Sequence, residues 1–247
     1  LAPDRSKLSK RIHGEEASLK NYREKGYLPE AIINFLALLG WHPAGDKEIL
    51  SLEEIIESFE LEKVQKGGAV LNIEKLSWLN AQYLKKVPLE ESLRIIKELI
   101  EKNKKESWKI SEEKAEKIAL LLLERIQRWG EVKEIIERGE LDYFFEKPSL
   151  KKESLKWKKD NDYQKALKHL HEASEIVENL EDNDYRANTL KEKLMAYAGD
   201  DLGSVLWPLR YALAGREKSP NPFTMAEILG KKETLNRWKE AIEILKS

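Results

Sequence analysis

Apolar residues recur at helical spacing along most of this chain, and that periodicity limits it to a helical architecture. Leu89, Leu93, Ile96 and Ile100 form one stripe over residues 88–102. Ala115, Ile118, Ala119, Leu122, Ile126 and Trp129 form another over 112–129. A third runs from Tyr163 through Leu170 and Val177 to Leu180, and a last one joins Leu235, Trp238, Ile242 and Leu245. An isolated amphipathic helix is marginal in water, so each stripe must bury against another helix. Charged residues make up 36% of the chain, which supplies the solvated outer faces such helices need. Pro29 suits the first turn of a helix that stops at Gly40, and Ser51 with Glu54 forms a capping-box pattern for a helix reaching Phe59.

Strand signals are weak. Residues 69–73 after Gly67-Gly68 are expected to form one short strand, and the segment around Lys7 another. No fixed-period repeat occurs, so a solenoid is not expected. Polar breaks fall at Val87-Pro88 and from Pro148 to Asp160. They predict three parts: 1–86, 87–150 and 151–247.

Several function classes drop out. Without cysteine, disulfides and thiolate metal sites are excluded. The four histidines (His13, His42, His169, His171) have no metal-ligand spacing, so no metal site is expected. No apolar run approaches the ~18 residues of a membrane span. Lys+Arg is 44 against Asp+Glu 45, so any nucleic-acid surface must be a local patch. Leu1 is no initiator, and the start reads as a boundary within a longer chain.

Two lysines three apart stand in Lys7-Leu8-Ser9-Lys10-Arg11. A reaction that expels pyrophosphate from ATP builds charge on the phosphates, and a mobile loop with ammonium groups can close on that charge. Ser9 is suited to holding the loop's conformation. In so lysine-rich a chain, the same pattern also arises by chance.

The context adds to it. Gly26-Tyr27-Leu28-Pro29-Glu30-Ala31 opens a block reaching Trp41, and Lys75-Leu76-Ser77-Trp78-Leu79-Asn80 forms a second. Trp207-Pro208-Leu209-Arg210-Tyr211-Ala212-Leu213-Ala214-Gly215-Arg216, then Ser219-Pro220, forms a third. With the lysine loop, in this order, they resemble the C-terminal part of the bacterial-type glutamyl-tRNA synthetases, class I enzymes. The resemblance spans nearly the whole chain and is least distinctive over about 100–200.

It implies a mainly α fold. Residues 1–86 should hold the end of the catalytic unit and a stem-contact fold with at most two or three short strands. Residues 87–150 and 151–247 should be two subdomains of an anticodon-binding helical cage. It implies a cytoplasmic parent that joins glutamate to its tRNA using ATP with magnesium. There Lys10 stabilises the leaving pyrophosphate, with Lys7 and Ser9 supporting the loop. The nucleotide-binding half, with its His-Ile-Gly-His-type motif, lies outside this sequence. This portion alone is therefore expected to bind tRNA, to bind no cofactor and to form no glutamyl-tRNA. A different class stays open: a stand-alone RNA-binding or scaffold protein derived from a synthetase tail, or a helical protein-interaction domain.

Residues themselves point to RNA less sharply. Arg210 and Arg216 are candidates because a guanidinium fork pairs bidentately with phosphate or a base edge, although a surface salt bridge uses it equally well. Arg125 and Arg128 follow Leu121-Leu122-Leu123, near where the resemblance places anticodon-reading arginines. Lys156 and Trp157 stand in a run of five lysines and one glutamate over 151–159, which fits a phosphate backbone with a stacking ring, or a solvated helix face. Phe35, Leu36, Leu39, Trp78 and Leu79 are expected in the core. Pro208 is expected to start a short helix that Gly215 ends, with Leu209, Ala212 and Leu213 on its buried side.

Overall fold

The computed structural model describes the chain except residues 3, 4, 14–17, 44 and 46 and the side chains of Lys10 and His13. The described residues form helices and connecting turns, with no strand among them. The chain divides into two compact units. One is Leu1–Lys105 with Ile118–Glu137, the other Glu106–Lys117 with Arg138–Ser247.

The first unit contains α1 (Lys10–His13), α2 (Leu19–Glu24), α3 (Pro29–Gly40), α4 (Leu52–Ser58), α5 (Ile73–Leu84), α6 (Leu89–Asn103), the second half of α7 (Glu112–Leu123) and α8 (Glu131–Glu137). Pro29 occupies the first turn of α3, where its missing N–H costs nothing. The capping box at α4 forms in full: Ser51 Oγ accepts from Glu54 N at 3.2 Å, and Glu54 Oε2 accepts from Ser51 N at 2.9 Å. α3 and α5 pack through Phe35, Leu76 and Leu79, and Tyr22, Tyr27 and Leu71 complete that cluster. Each such side chain withdrawn from water contributes about 1.5–3 kcal/mol.

Buried amides register these helices. Asn34 Oδ1 accepts from Leu50 N at 3.0 Å and lies 2.9 Å from the Tyr83 hydroxyl. Asn80, fully buried on α5, accepts from Leu28 N at 2.7 Å and donates to the Gln127 carbonyl. Gly26 and Gly130 then meet back to back. Gly26 has φ +77°, a β-carbon there would stand 2.5 Å from Gly130 N, and one on Gly130 would stand 2.3 Å from Lys25 O. Only glycine permits that approach.

Several expectations are corrected. Residues 69–73 form no strand: Asn72 Oδ1 accepts from Lys75 N at 3.0 Å and starts α5, which leaves too short a run. Among the described residues, backbone bonds from Leu1 N to Ala69 O (2.6 Å) and Leu71 N to Leu1 O (2.8 Å) join the two segments. The segment around Lys7 turns into α1 and forms no strand either. α7 stops at Leu123, short of 129, because the chain folds at 124–130 to reach the Gly26 contact; Ile126 is buried from that turn. Leu36 and Trp78 are exposed, not core, because both lie on outward faces of α3 and α5. Phe35 and Leu79 are buried as expected, and Leu39 is half-buried.

The second unit contains the first half of α7, then α9 (Lys152–Leu155), α10 (Gln164–Glu178), α11 (Ala187–Ala198), α12 (Leu202–Ala214), α13 (Pro222–Leu229) and α14 (Lys231–Lys246). α12 is its axis and packs against α9, α10, α11, α13 and α14. That explains its buried run Leu209, Tyr211, Ala212, Leu213 and Ala214. Pro208 does not start this helix: it lies inside it, where it removes the N–H that would have bonded Ser204 O. Gly215 closes α12 in the left-handed conformation at φ +64°. Trp238 of α14 is fully buried and donates its indole N–H to Leu209 O at 3.1 Å. Beside it, buried Arg237 donates to the carbonyls of Tyr143 and Leu213 at 2.6 Å each and of Glu146 at 3.2 Å.

Candidate nucleic-acid interface

In the second unit α12 presents a row of rings and cations. Gly203 lets the Trp157 indole lie directly on the helix: a β-carbon at 203 would stand 2.7 Å from its Nε1. Trp157 and Trp207 pack with centroids 5.2 Å apart, and Trp207 donates its indole N–H to Ser154 O at 2.8 Å. Arg210, one turn further, holds its guanidinium 4.8 Å from the Trp207 centroid, and the Lys158 ammonium stands 5.4 Å from that of Trp157. Such cation–ring contacts are worth about 0.5–1 kcal/mol at an exposed site. The result is an ordered sequence: Lys158, Trp157, Trp207, Arg210.

The turn that carries Trp157 is fixed from below. Asp160 N donates to Trp157 O at 2.9 Å, and the Lys156 ammonium donates to Asp160 O. Buried Asp160 accepts from Ser204 Oγ at 2.8 Å and pairs with Lys165 at 3.3 Å. Arg210 does a second job. Its Nη1 donates to Glu217 O at 2.6 Å and to Ser219 Oγ at 3.0 Å, which fastens the loop after α12. Burial pulls its pKa below the usual arginine value, opposed by nearby Glu217. Arginine nonetheless keeps its charge.

Arg216 follows the end of α12, 6.0 Å from the Tyr143 centroid. With Glu146, Pro148, Ser149 and Gly215 these two line a cleft of about 240 Å³. The structure thus joins Trp157 and Arg210 through Trp207, ties the Lys156 ammonium into the turn below at Asp160 O, and places Arg216 just past the end of the same helix. Sequence reading missed Gly203 and the part played by Trp207. The available signal was spacing: Gly203, Trp207 and Arg210 are four and three residues apart, on one helix face.

The first unit holds the other candidates, Arg125 and Arg128 among them. Arg128 has its fork engaged: Nη2 donates to Glu134 Oε1 and Oε2 at 2.9 and 3.0 Å, and Nη1 donates to Lys25 O at 3.1 Å. Its guanidinium also stands 5.6 Å from the Tyr27 centroid. Arg125 is exposed and borders a cavity beside α5. At the start of the chain Lys7 is exposed, Leu8 packs against the Tyr22–Tyr27 cluster, and Ser9 O accepts from Ile12 N at 3.2 Å to open α1. Lys10 is the first residue of α1, and its side chain lies outside the described residues. Among the described residues no group of three or more His, Asp or Glu side chains is placed to hold a metal. No described helix is long and apolar enough to cross a membrane.

Comparison with known proteins places the chain in a family. Residues 76–242 match the family model described as "Anticodon binding domain", and residues 1–78 match "tRNA synthetases class I (E and Q), catalytic domain". The glutamate–tRNA ligase of Clostridium acetobutylicum is 36% identical over 249 residues, which is 97% of this chain and 48% of that protein. That of Flavobacterium johnsoniae is 36% identical over 234 residues, 94% of this chain and 44% of the relative. A crystal structure of a glutamate–tRNA ligase from Elizabethkingia meningosepticum in complex with its amino acid matches with TM-score 0.75 and 36% identity, covering 99% of this chain and 50% of that one. The Elizabethkingia anophelis enzyme gives TM-score 0.71 and 34% identity, over 96% and 48%. The chain spans about half the length of the curated relatives it matches. It belongs to the anticodon-binding-domain family, in the form that glutamate–tRNA ligases carry behind the end of their class I catalytic domain.

Proposed function

We propose that this chain is the tRNA-binding part of a glutamate–tRNA ligase and that it holds a glutamate-accepting tRNA. The observation that carries this is the row Lys158–Trp157–Trp207–Arg210. Unstacked loop bases find aromatic faces there, and cations at both ends meet the phosphates. Arg125, Arg210, Arg216, Lys156 and Trp157 are the contacts we assign. Arg128 shares in binding by placing the 124–130 turn that carries Arg125, since its own fork is engaged by Glu134. We assign 1–86 to the end of the catalytic unit and the stem-contact fold. We assign 87–150 and 151–247 to the two anticodon-binding subdomains, with breaks at Pro88 and in the polar turn before Trp157.

The parent enzyme works in the cytoplasm, and a nucleotide-binding half completes it in cis. The residues present fit a part in ATP binding: Lys7 is exposed while Leu8 anchors the loop to the core, so an ammonium is offered on a tethered segment. ATP with magnesium supplies the activation of glutamate in the complete enzyme. Lys7 and Lys10 would meet the phosphates, and Ser9 would hold the loop. By itself this chain forms no glutamyl-tRNA.

Titration of labelled glutamate tRNA at 50 and 200 mM salt, concentrations chosen to bracket the range where phosphate contacts weaken, tests the reading. Binding that falls steeply with salt supports it. No binding at either salt, or binding indifferent to salt, overturns it.

A further inference from the structure

The first unit contains a half-open cavity of about 630 Å³ that no contact described above fills. That volume lies within the range of small-ligand sites. Its walls are the outward side of α5 (Trp78, Gln82), Lys85 and Leu89 at the α5–α6 turn, and Arg125 and Gln127 after α7. Leu84, Leu123 and Ile126 give it an apolar floor.

Two features select the chemistry of its occupant. The first is the unpacked ring. Trp78 is 38% exposed and Leu89 57%, which leaves apolar surface at the opening. The Lys75 ammonium stands 4.3 Å from the Trp78 centroid and is itself paired with Glu48, yet Lys75 does not line the cavity. The indole is thus braced from outside the cavity and leaves ring surface toward it. The second is the polar set. Gln82 and Gln127 supply side-chain amides, each a donor and an acceptor together, as base edges require. Lys85 and Arg125 line it with cationic side chains, and Glu124 with a carboxylate.

The geometry points to a subsite for one unstacked nucleotide. Its base lies on Trp78, its edge meets Gln82 and Gln127, and its phosphate meets Lys85 and Arg125. The inference rests on the RNA-binding reading above and deepens it, with the nucleotide belonging to the bound tRNA. A free nucleotide offers the same chemistry, and the experiment separates the two.

Glutamate tRNA is prepared with 5-iodouridine at its unpaired uridines, cross-linked to the chain by irradiation, and the adduct mapped by peptide mass spectrometry. The expected result is an adduct on Trp78. Trp78→Ala should weaken tRNA binding by about tenfold, within the range for loss of one stacked base, with an unchanged salt slope because an indole displaces no counterions. Trp78→Phe should stay within about threefold of the parent chain. Ala81 of α5 also lines the cavity, so Ala81→Leu narrows it without removing any group and should also abolish the adduct, which keeps the test valid if Trp78→Ala melts early. Adenosine monophosphate in place of RNA forms the second arm. Nucleotide binding lost in Trp78→Ala, with tRNA affinity unchanged, overturns the RNA assignment. Equal tRNA affinity for parent and Trp78→Ala with no adduct overturns the subsite and leaves the RNA reading standing. Failure of the parent chain to bind tRNA overturns both.

Discussion

Gly203 and Trp157 are in contact so close that position 203 has no room for a side chain: a β-carbon would meet indole Nε1 at 2.7 Å and Cε2 at 2.8 Å. Replacing Gly203 by alanine at the second position of α12 gains at most about 1 kcal/mol of helix propensity, so a purely local effect would favour the variant. The steric effect has the opposite sign and should win, because the indole is held by Trp207 on one side and by the Asp160 turn below. Gly203→Ala is expected to displace the ring, lower the melting temperature slightly and weaken tRNA binding by about threefold to tenfold. Trp157→Ala should give a similar loss of affinity. Fluorescence-anisotropy titration of both variants checks this; unchanged affinity in Trp157→Ala would remove the ring from the interface.

Arg125 and Arg128, three residues apart, should separate in opposite assays. Arg128 is 14% exposed and its bidentate partner Glu134 36%, so solvent screens the pair only in part. Adding the bond to Lys25 O, Arg128→Ala is expected to cost about 2 kcal/mol of stability. Arg125→Ala, at an exposed side chain, should lower the melting temperature less than Arg128→Ala does, weaken tRNA binding and lower the salt slope by about one unit. Thermal melts beside two-salt titrations distinguish them. A stable Arg128→Ala that binds tRNA weakly would show that its fork leaves Glu134 for RNA.

Arg237 predicts a larger stability effect. Arg237 is 3% exposed, and its guanidinium bonds three carbonyls that close the 142–146 turn and the end of α12 and pairs with Glu233 at 2.7 Å. Arg237→Met keeps the volume and leaves those acceptors without their donor, a change that costs about 3–5 kcal/mol for a buried ion or hydrogen-bonded network. Lysine, a compact point charge, reaches fewer of the three and should recover only part. Chemical denaturation midpoints of the two variants give the comparison, and a loss below about 1 kcal/mol for Arg237→Met would refute the role.

What was legible in the sequence follows from how local each signal is. The α4 capping box and the Pro29 start of α3 are decided within four residues, and both form as written. The stripes at Leu89–Ile100 and Leu235–Leu245 mark α6 and α14 because burial of one face sets their period, although Leu89 itself, at the first position of α6, stays 57% exposed. The end of α7 was hidden because a contact between residues more than a hundred positions apart, Gly130 against Lys25, bends the chain there. Pro208 misled for a related reason: packing of α12 on five helices outweighs the one hydrogen bond that proline removes. At the candidate site the residue types were readable and the partnerships were not. Nothing near Arg128 announces that Glu131 and Glu134 fold back on it, and nothing near Trp157 announces that Gly203 is its seat.

His169 gives the chain an acid-sensitive contact within the second unit. Its Nδ1 lies 2.7 Å from the Tyr197 hydroxyl across α10 and α11, with ring centroids 5.8 Å apart. Burial depresses its pKa below the ordinary 6.5; Asp201 and Asp160 oppose that shift, while Lys168 and Lys165 reinforce it. Burial also raises the Tyr197 pKa, so the hydroxyl keeps its proton through the neutral range. The folded chain therefore prefers neutral imidazole. Between the depressed folded value and about 6.5 the unfolded chain binds more protons, so stability rises with pH across that window and is lost as pH falls through the folded value. His169→Gln cannot titrate and should keep a hydrogen bond to Tyr197. The parent chain should lose more melting temperature than His169→Gln on going from about pH 7.5 to about pH 5.5, values set on either side of the histidine range. Both proteins share every other titrating group, so the difference reports His169 alone. Equal losses would show that the imidazole is already solvated enough to take up its proton without strain on the α10–α11 contact.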